Sequence, residues 1–410
     1  MTKKPIKKYN TIDLFAGCGG LIDGFEQAGS YKTLACVEWE KEPCLTLSNR
    51  LKTKWGYKNT DQMVLRFDIQ RDKELFQGWD DPEYDKGIGI DKLVGKNNVD
   101  IVVGGPPCQA YSIAGRIRDS KGMKNDYRNY LFESYVKVVE RYSPKIFVFE
   151  NVFGMLSAKP DGSPIVDDIK KSFKKIGYEI IDEIRKYALF NVIDYGVPQN
   201  RSRVILIGLR SDSFDNPQEV LRELYKKIIP SKKEKMMTAR DAIGDLPALK
   251  PLKELTYVGA KKISHETSEK YMNHFPRFHS SRDIPIFREL AADAINGNVK
   301  YSTTSDLKRL YTELTGKESN VHKYNVIDWD KPSNTIVAHL CKDGLRHIHP
   351  DPKQARTITV REAARLQTFD DDFEFIGPIT AQYKMVGNAV PPKFARKIAE
   401  AMAEILETAK

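Results

Sequence analysis

Short apolar runs punctuate the first half of the chain, each stopping at glycine, proline or an acidic residue. Residues 11–16 (TIDLFA) stop at Gly17, Gly19 and Gly20, and Leu21, Ile22, Phe25 and Ala28 follow at helical spacing. That order predicts strand, tight turn, helix. Further strands are predicted at Thr33–Val37, ending at Glu38, and at Met63–Phe67, ending at Asp68. Another at Ile101–Val103 ends in Gly104-Gly105-Pro106-Pro107-Cys108, and one at Ile146–Phe149 ends in Glu150-Asn151. Val204–Gly208 follows Gln199–Arg203, and Leu131–Glu140 has helical spacing. Residues 71–98 are polar and rich in Gly and Asp, and they read as a surface excursion. The alternation predicts an α/β fold with a doubly wound, mostly parallel sheet. The polar residues capable of chemistry follow strand ends, the edge where open α/β sheets bind ligands.

Between about 211 and 330 this rhythm is lost, and aromatics, His, Lys and Arg are interspersed. Order returns with a helical Arg361–Leu366 and an amphipathic helix over Pro392–Leu406 opened by prolines.

Composition adds little. The net charge is +10 over 410 residues, compatible with a polyanionic partner, but the excess is spread along the chain and a solvated basic surface explains it equally well. The five cysteines, Cys18, Cys36, Cys44, Cys108 and Cys341, are odd in number and form no C-x-x-C pair. This argues against a disulfide framework or a zinc site and for a reducing compartment. No stretch reads as a signal peptide or as a run of 18 apolar residues, and Lys3–Lys8 reads as a frayed, soluble end.

The first strand ends in Asp13-Leu14-Phe15-Ala16-Gly17-Cys18-Gly19-Gly20, where glycines let the backbone turn and approach a ligand. A glycine turn alone is equally compatible with no ligand. Glu38, 21 residues after Gly17, strengthens the site reading, because an acidic residue there accepts from ribose hydroxyls. Trp39 offers a flat face for adenine, and Asp68 an acceptor for its amino group. A nicotinamide dinucleotide wants G-x-G-x-x-G to hold its pyrophosphate. The order here is G-C-G-G, which favours a nucleoside without phosphates, S-adenosylmethionine.

A lone cysteine is usually a small buried apolar residue. That suits Cys36, inside a strand. It suits Cys108 poorly, because two prolines fix the chain and place the thiol at the ligand edge. Glu150 either caps a turn or, after the neighbouring strand, forms a nucleophile and acid pair with Cys108. Arg201 and Arg203 alternate on an extended segment and share a face, either for substrate or for a salt bridge.

Together these segments resemble the DNA (cytosine-5) methyltransferase family of bacterial restriction-modification type. The matching blocks are DLFAGCGG (13–20), VEWE (37–40), FDI (67–69), GGPPCQAYS (104–112), FENV (149–152), QNRSRV (199–204), RTITVREAARLQTF (356–369) and QYKMVGNAVPP (382–392). The resemblance covers about 1–210 and 331–410. It implies the S-adenosylmethionine-dependent methyltransferase fold, with a larger catalytic domain over 1–210 plus 381–410 and a smaller one over 211–380 that contains a target-recognition region at about 211–330. It implies methylation of carbon 5 of a cytosine flipped out of a specific double-stranded DNA sequence, through a covalent bond from Cys108 to carbon 6. Glu150 would act at ring nitrogen 3, and Arg203 with Arg201 would hold the base. Phe15, Gly17, Gly19, Glu38, Trp39, Asp68, Ile69 and Pro107 would line the cofactor site, completed by Leu131, Asn388 and Ala389. The loop 109–128, with Arg116, Arg118, Lys121, Lys124 and Arg128, would close over DNA. Ala114 stands where relatives often carry Ser, which puts one loop contact to DNA in doubt. His274, Arg277, His279, Arg282 and the Lys232–Lys235 run are candidate groove contacts, as base readers or as phosphate contacts.

The resemblance further implies a monomeric cytoplasmic protein without a metal, with a cognate restriction endonuclease as a possible partner. Three rival functions stand beside this one. An RNA cytosine-5 methyltransferase on the same fold is disfavoured by the long variable region, since a duplex target needs a groove reader. A catalytically silent DNA-binding relative is disfavoured by intact Cys108, Glu150 and Arg203. A nicotinamide oxidoreductase is disfavoured by the glycine order.

Overall fold

The computed structural model describes residues 8–107, 131–160, 162–258, 261–297, 300–318 and 323–410. The chain divides into two compact units. The first holds residues up to 195, 201–235 and 390–410; the second holds 196–200 and 236–389. The expected boundaries at 210 and 381 therefore move to 235 and 389. Residues 211–235 stay with the first unit because helical turns there bury Leu221, Leu224, Tyr225 and Ile229, and the Tyr225 hydroxyl bridges Ile205 O and Ile207 N at 2.8 and 2.9 Å.

The first unit is built on an eight-stranded sheet. Its strands are β1 (Tyr9–Leu14), β2 (Tyr31–Glu38) and β3 (Val64–Arg66), then, past a separate hairpin of β4 (Trp79–Asp81) and β5 (Asp85–Gly87), β6 (Ile101–Gly104), β7 (Ile146–Val152), β8 (Tyr178–Ile180), β9 (Leu189–Asn191) and β10 (Ser202–Arg210). The order is β3-β2-β1-β6-β7-β10-β8, with β9 also on β10. Strands β1, β2, β3, β6 and β7 are parallel, whereas β10 runs antiparallel to its neighbours. The parallel centre is buried on both faces, which is why its strands read as continuous apolar runs: Ile101, Val102, Val103 and Ile146–Val148 are wholly buried.

Helices cover the sheet. Helix α1 (Gly20–Gln27) packs against the C-terminal helix Pro392–Glu407. A Cβ on Gly24 would lie 2.5 Å from Ala395 Cβ and from Pro392 O, so glycine sets how closely the two helices approach. Helices α2 (Lys41–Thr53), α3 (Leu131–Tyr142) and α4 (Ile165–Lys175) follow β2, the 108–130 segment and β7. On one face Phe147 stacks on Phe173, with centroids 3.8 Å apart.

The expected surface excursion at 71–98 is corrected. Leu75, Phe76, Trp79, Ile90 and Val94 are buried, and the stretch folds into two short helices flanking the β4–β5 hairpin. Its apolar residues are few and irregularly spaced, so no period marks them in the sequence.

The second unit contains a hairpin, β11 (Pro251–Val258) with β12 (Lys261–His265), and helices α5 (Asp283–Asn296), α6 (Thr304–Thr315), α7 (Val360–Leu366) and α8 (Ile379–Asn388). Ile286, Phe287, Leu290, Tyr301, Leu307, Leu310 and Ile348 form one apolar cluster. A second interior is polar. Arg356 donates to both oxygens of Glu362 at 2.6 and 2.7 Å, and Glu362 closes a capping box with Thr359 at the start of α7. Among the described residues no helix is long and apolar enough to cross a membrane.

Candidate active site

At the end of β1 the chain turns through Phe15 (φ 56°), Gly17 (φ 55°) and Gly19 (φ 94°), all left-handed. Such a conformation strains Phe15 and suits the glycines. The turn is anchored to β2: Ala16 N donates to Val37 O at 3.0 Å, and Gly17 N to Glu38 Oε2 at 2.9 Å. The other Glu38 oxygen accepts from Trp39 N and Glu40 N, both at 2.9 Å. Burial raises the Glu38 pKa and these amides pull it back. A carboxylate offers about four acceptor positions, so roughly one remains beyond the three amides. Trp39 is 49% exposed, and among the described residues no atom lies within 4 Å of where a Cβ on Gly17 would sit. Phe67 N donates to Glu38 O at 3.0 Å, which brings Asp68 and the buried Ile69 beside Glu38. Asp68 Oδ1 accepts from Gln70 N at 3.0 Å.

Asp13, one residue before the end of β1, is wholly buried, and neither carboxylate oxygen has a hydrogen-bond partner among the described residues. Burial, then the charge of Glu38, push its pKa well above the usual carboxylate range. The Ile22 amide opposes that shift without closing a hydrogen bond. An open glycine turn, one spare acceptor on Glu38 and an exposed indole face fit a nucleoside with a free diol and no phosphates. S-adenosylmethionine is such a molecule.

The second cluster follows β6 and β7. A Cβ on Gly105 would lie 2.7 Å from Glu150 Oε2, so the glycine admits the carboxylate against the turn that leads to Pro107. Asn151, buried, donates from Nδ2 to Pro106 O at 3.3 Å and accepts Val152 N on Oδ1 at 2.9 Å. It ties the turn to β7. The FENV block contains Asn151, but the sequence reading assigns it no task; an amide beside a candidate acid is the signal that pointed to it.

Arg203 pairs with Val152 across the β7–β10 ladder, so it lies diagonally from Glu150 on the same face. Its Nε stands 2.7 Å from Glu150 Oε1, each side chain 12% exposed, as an ion pair rather than an aligned hydrogen bond. Its Nη1 donates to Ser202 O at 2.8 Å. Arg201 is buried at 1% exposure, and its carbonyl accepts Val192 N. Pro107 is half-buried, and Leu131 is buried at the start of α3. Cys108 and the 109–128 loop, with its five basic residues and Ala114, lie outside the described residues.

In the second unit Asn388 is the exposed last residue of α8, and Ala389 N donates to Met385 O at 3.1 Å. Gln367 Nε2 donates to Val386 O at 2.7 Å, and Gln199 Nε2 to Gln367 Oε1 at 2.9 Å, a relay that supports the end of α8. Gly387 is required there, because a Cβ would meet Ala338 N at 2.3 Å.

Two candidate groove contacts are corrected. His274 is wholly buried, with its ring nitrogens on Thr359 Oγ1 and Pro247 O at 3.1 and 3.0 Å. His279 is buried and accepts Thr357 N at 3.2 Å. Desolvation lowers both pKa values, so these rings are neutral interior groups. Lys232 and Lys233 belong to the first unit and pair with Glu404 and Asp194. Arg277 is half-buried over the Tyr383 ring, and Arg282 is half-exposed beside Asp283.

The profile of the C-5 cytosine-specific DNA methylase family matches residues 9–404. The chain belongs to that family. It is 36% identical to the type II methyltransferase M.Bpa9945I of Bacillus paralicheniformis, over 96% of this chain and 98% of the relative. It is 32% identical to M.DdeI of Desulfomicrobium norvegicum, over 97% and 89%. Among solved structures it resembles a prophage-encoded E. coli chain described as a candidate DNA modification methyltransferase, with TM-score 0.62, 23% identity and coverage of 98% and 100%. It also resembles the Dnmt2 methyltransferase of S. pombe, with TM-score 0.54, 13% identity and coverage of 98% and 99%. These two likenesses concern the fold. As a C-5 cytosine-specific DNA methylase the chain is a DNA (cytosine-5)-methyltransferase, and S-adenosylmethionine is its methyl donor.

Proposed function

We propose that this methyltransferase modifies one cytosine within a specific double-stranded DNA sequence, flipped out of the helix, through a covalent bond between Cys108 and carbon 6. The observation that carries this reading is the Glu150–Arg203 pair at 2.7 Å, packed against the turn that leads to Cys108. Inside a duplex a thiol cannot reach carbon 6, so the base leaves the stack. Cytosine carbon 5 is a poor nucleophile. Addition of the Cys108 thiolate at carbon 6 makes it enamine-like, and Glu150, at ring nitrogen 3, keeps negative charge from building up on the ring. Arg203 orients Glu150 and, with Arg201, holds the base carbonyl. Asn151 keeps the Pro106–Pro107 turn in register with both. When bound, S-adenosylmethionine supplies an electrophilic methyl group to carbon 5. The carbon-5 proton then leaves to a base, and elimination restores the Cys108 thiol and the aromatic ring.

Glu38, Trp39, Asp68 and Ile69 hold the nucleoside, the Phe15–Gly19 turn makes room for it, and Pro107 and Leu131 complete the part of its site that the first unit supplies. Target reading falls to the second unit. With His274 and His279 interior, exposed Tyr257 and Phe278 and half-exposed Arg282 are the stronger candidates there. The protein acts as a cytoplasmic monomer in a restriction-modification pair, beside an endonuclease of the same target. Its named relatives are type II methyltransferases, which supports the pairing.

Bisulfite sequencing of plasmid DNA from an expressing host tests activity and specificity together. One short sequence protected at a single cytosine is expected. Unprotected DNA, with methylation of transfer RNA by the same preparation, would replace this reading with the RNA one.

A further inference from the structure

The β4–β5 hairpin shares no ladder with the main sheet, yet it buries one large side chain against that sheet's edge. Trp79, 7% exposed, stacks on Phe67 with ring centroids 3.9 Å apart at 23°. Phe67 is the residue between β3 and Asp68. Tyr84 meets the same ring edge-on at 5.2 Å, and the Arg71 guanidinium lies 4.7 Å from its centroid. The arrangement is built to hold the indole. A Cβ on Gly87 would fall 2.2–2.4 Å from three Trp79 ring atoms, so only glycine admits it. Trp79 Nε1 donates to Tyr84 O at 3.4 Å. Arg71 is fixed by Asp81 at 2.8 Å and by both oxygens of Glu74, and its backbone N–H donates to Asp68 O at 3.1 Å. The far side of the segment is tied to α3 by Asp72–Lys137 at 2.9 Å and by Asp91, which takes Arg141 and the Tyr142 hydroxyl.

We propose that Trp79 is a positioning residue for the methyl donor: its indole clamps Phe67, and through it holds the Asp68–Ile69 turn in the geometry that receives the adenine ring. This rests on the reading that Asp68 and Ile69 border the adenine. The 71–98 segment thereby acts as a buttress of the cofactor site. Trp79 touches neither the cofactor nor DNA, so its loss acts on cofactor affinity and spares the chemical step.

The test measures S-adenosylhomocysteine affinity by calorimetry, and kcat with both KM values on the target duplex. The full-length proteins are the parent, Trp79→Leu, Trp79→Phe, Asp68→Ala and the Trp79→Leu/Asp68→Ala double variant. Trp79→Leu is expected to weaken cofactor affinity by about threefold to tenfold, the range for losing one aromatic pair. At saturating cofactor, kcat and the KM for DNA stay within about twofold of the parent. Trp79→Phe keeps a stacked ring and restores most of the affinity. In the Asp68→Ala background Trp79→Leu costs less than about twofold more, because both act on one contact. Parental affinity in Trp79→Leu beside a weakened Asp68→Ala overturns the proposal. So does a loss shared equally by kcat and DNA affinity, which is what a general packing defect gives. Parental affinity in Asp68→Ala removes the adenine assignment itself, and the proposal with it.

Discussion

The two units bury different kinds of side chain. The first hides a parallel sheet whose central strands are aliphatic and aromatic, with Asp23–Arg50 as a buried ion pair. Among the described residues the second buries five histidines, His265, His274, His279, His347 and His349, around Arg356, Arg361 and Glu362. Arg361 alone donates to the carbonyls of Met272, Asp370 and Phe373. An apolar interior tolerates changes of shape at modest cost, whereas a polar one depends on every partner being present. The first unit carries the strained Phe15 and the buried Asp13, whose carboxylate has no hydrogen-bond partner among the described residues, at the turn proposed to receive the cofactor. The second spends its polar groups on its own cohesion, which is why these five histidines are unavailable to DNA.

The largest expected effect falls on that polar interior. Glu362→Gln leaves Arg356 buried without its counter-charge and should destabilise the second unit by about 3–5 kcal/mol. Urea unfolding followed by hydrogen exchange would report this. Lost protection in α7, with β6 and β7 retained until higher urea, is expected, and simultaneous loss in both units would erase the contrast. Next in size, Glu38→Ala removes the charged acceptor proposed for the ribose and should cost about 1.5–3 kcal/mol of S-adenosylmethionine affinity, with DNA affinity unchanged. Equal calorimetric affinity in variant and parent would take Glu38 out of the site.

Acid should separate the units more gently. Burial pushes His265 and His347 down to about 4 and His349 to about 3. The unfolded chain then binds protons first as pH falls below about 6.5, so the stability these rings contribute drains away from there to about pH 4. Glu362, held below the usual range chiefly by Arg356 against its burial, loses its contribution in the same direction at lower pH. Asp13 and Glu38, both raised by burial, have the opposite sign, because the folded state binds their protons first. Between pH 7 and 5.5 each depressed histidine should cost the second unit about 1 kcal/mol. Exchange protection should fall in α7 and hold in β1 and β6; uniform loss would contradict the assignment.

The same contrast explains what could be read in the sequence. Strands β1, β2, β6, β7 and β10 lie within about three residues of their expected positions, because burial on both faces leaves uninterrupted apolar runs. The antiparallel direction of β10 was not legible, since a run of apolar residues has no direction. Helices α5 and α6 were missed. Their buried faces are narrow, with only Leu307 and Leu310 on α6, and the Thr303–Asp306 capping box was the signal that went unused. The interior of the second unit was misread for one reason: His, Arg and Glu look like surface or ligand residues until their partners are in view. At the candidate site Glu150 was legible by its position after a strand and Arg203 by its alternation with Arg201 before one, whereas Asn151 and Gln367 required the hydrogen bonds themselves.

In the proposed mechanism Cys108 bonds to the base while Glu150 and Arg203 support it, and trapping tests this most directly. Release from carbon 6 requires loss of a proton from carbon 5, and fluorine there cannot leave as a cation. Incubation with S-adenosylmethionine and a target duplex carrying 5-fluorocytosine should give a protein–DNA complex that survives denaturing electrophoresis. Cys36→Ser, at a core position, should still trap, and Glu150→Gln should trap on the order of 10²-fold more slowly. Cys108→Ser should give no complex. Trapping by Cys108→Ser at the parental rate would contradict both the nucleophile and the mechanism.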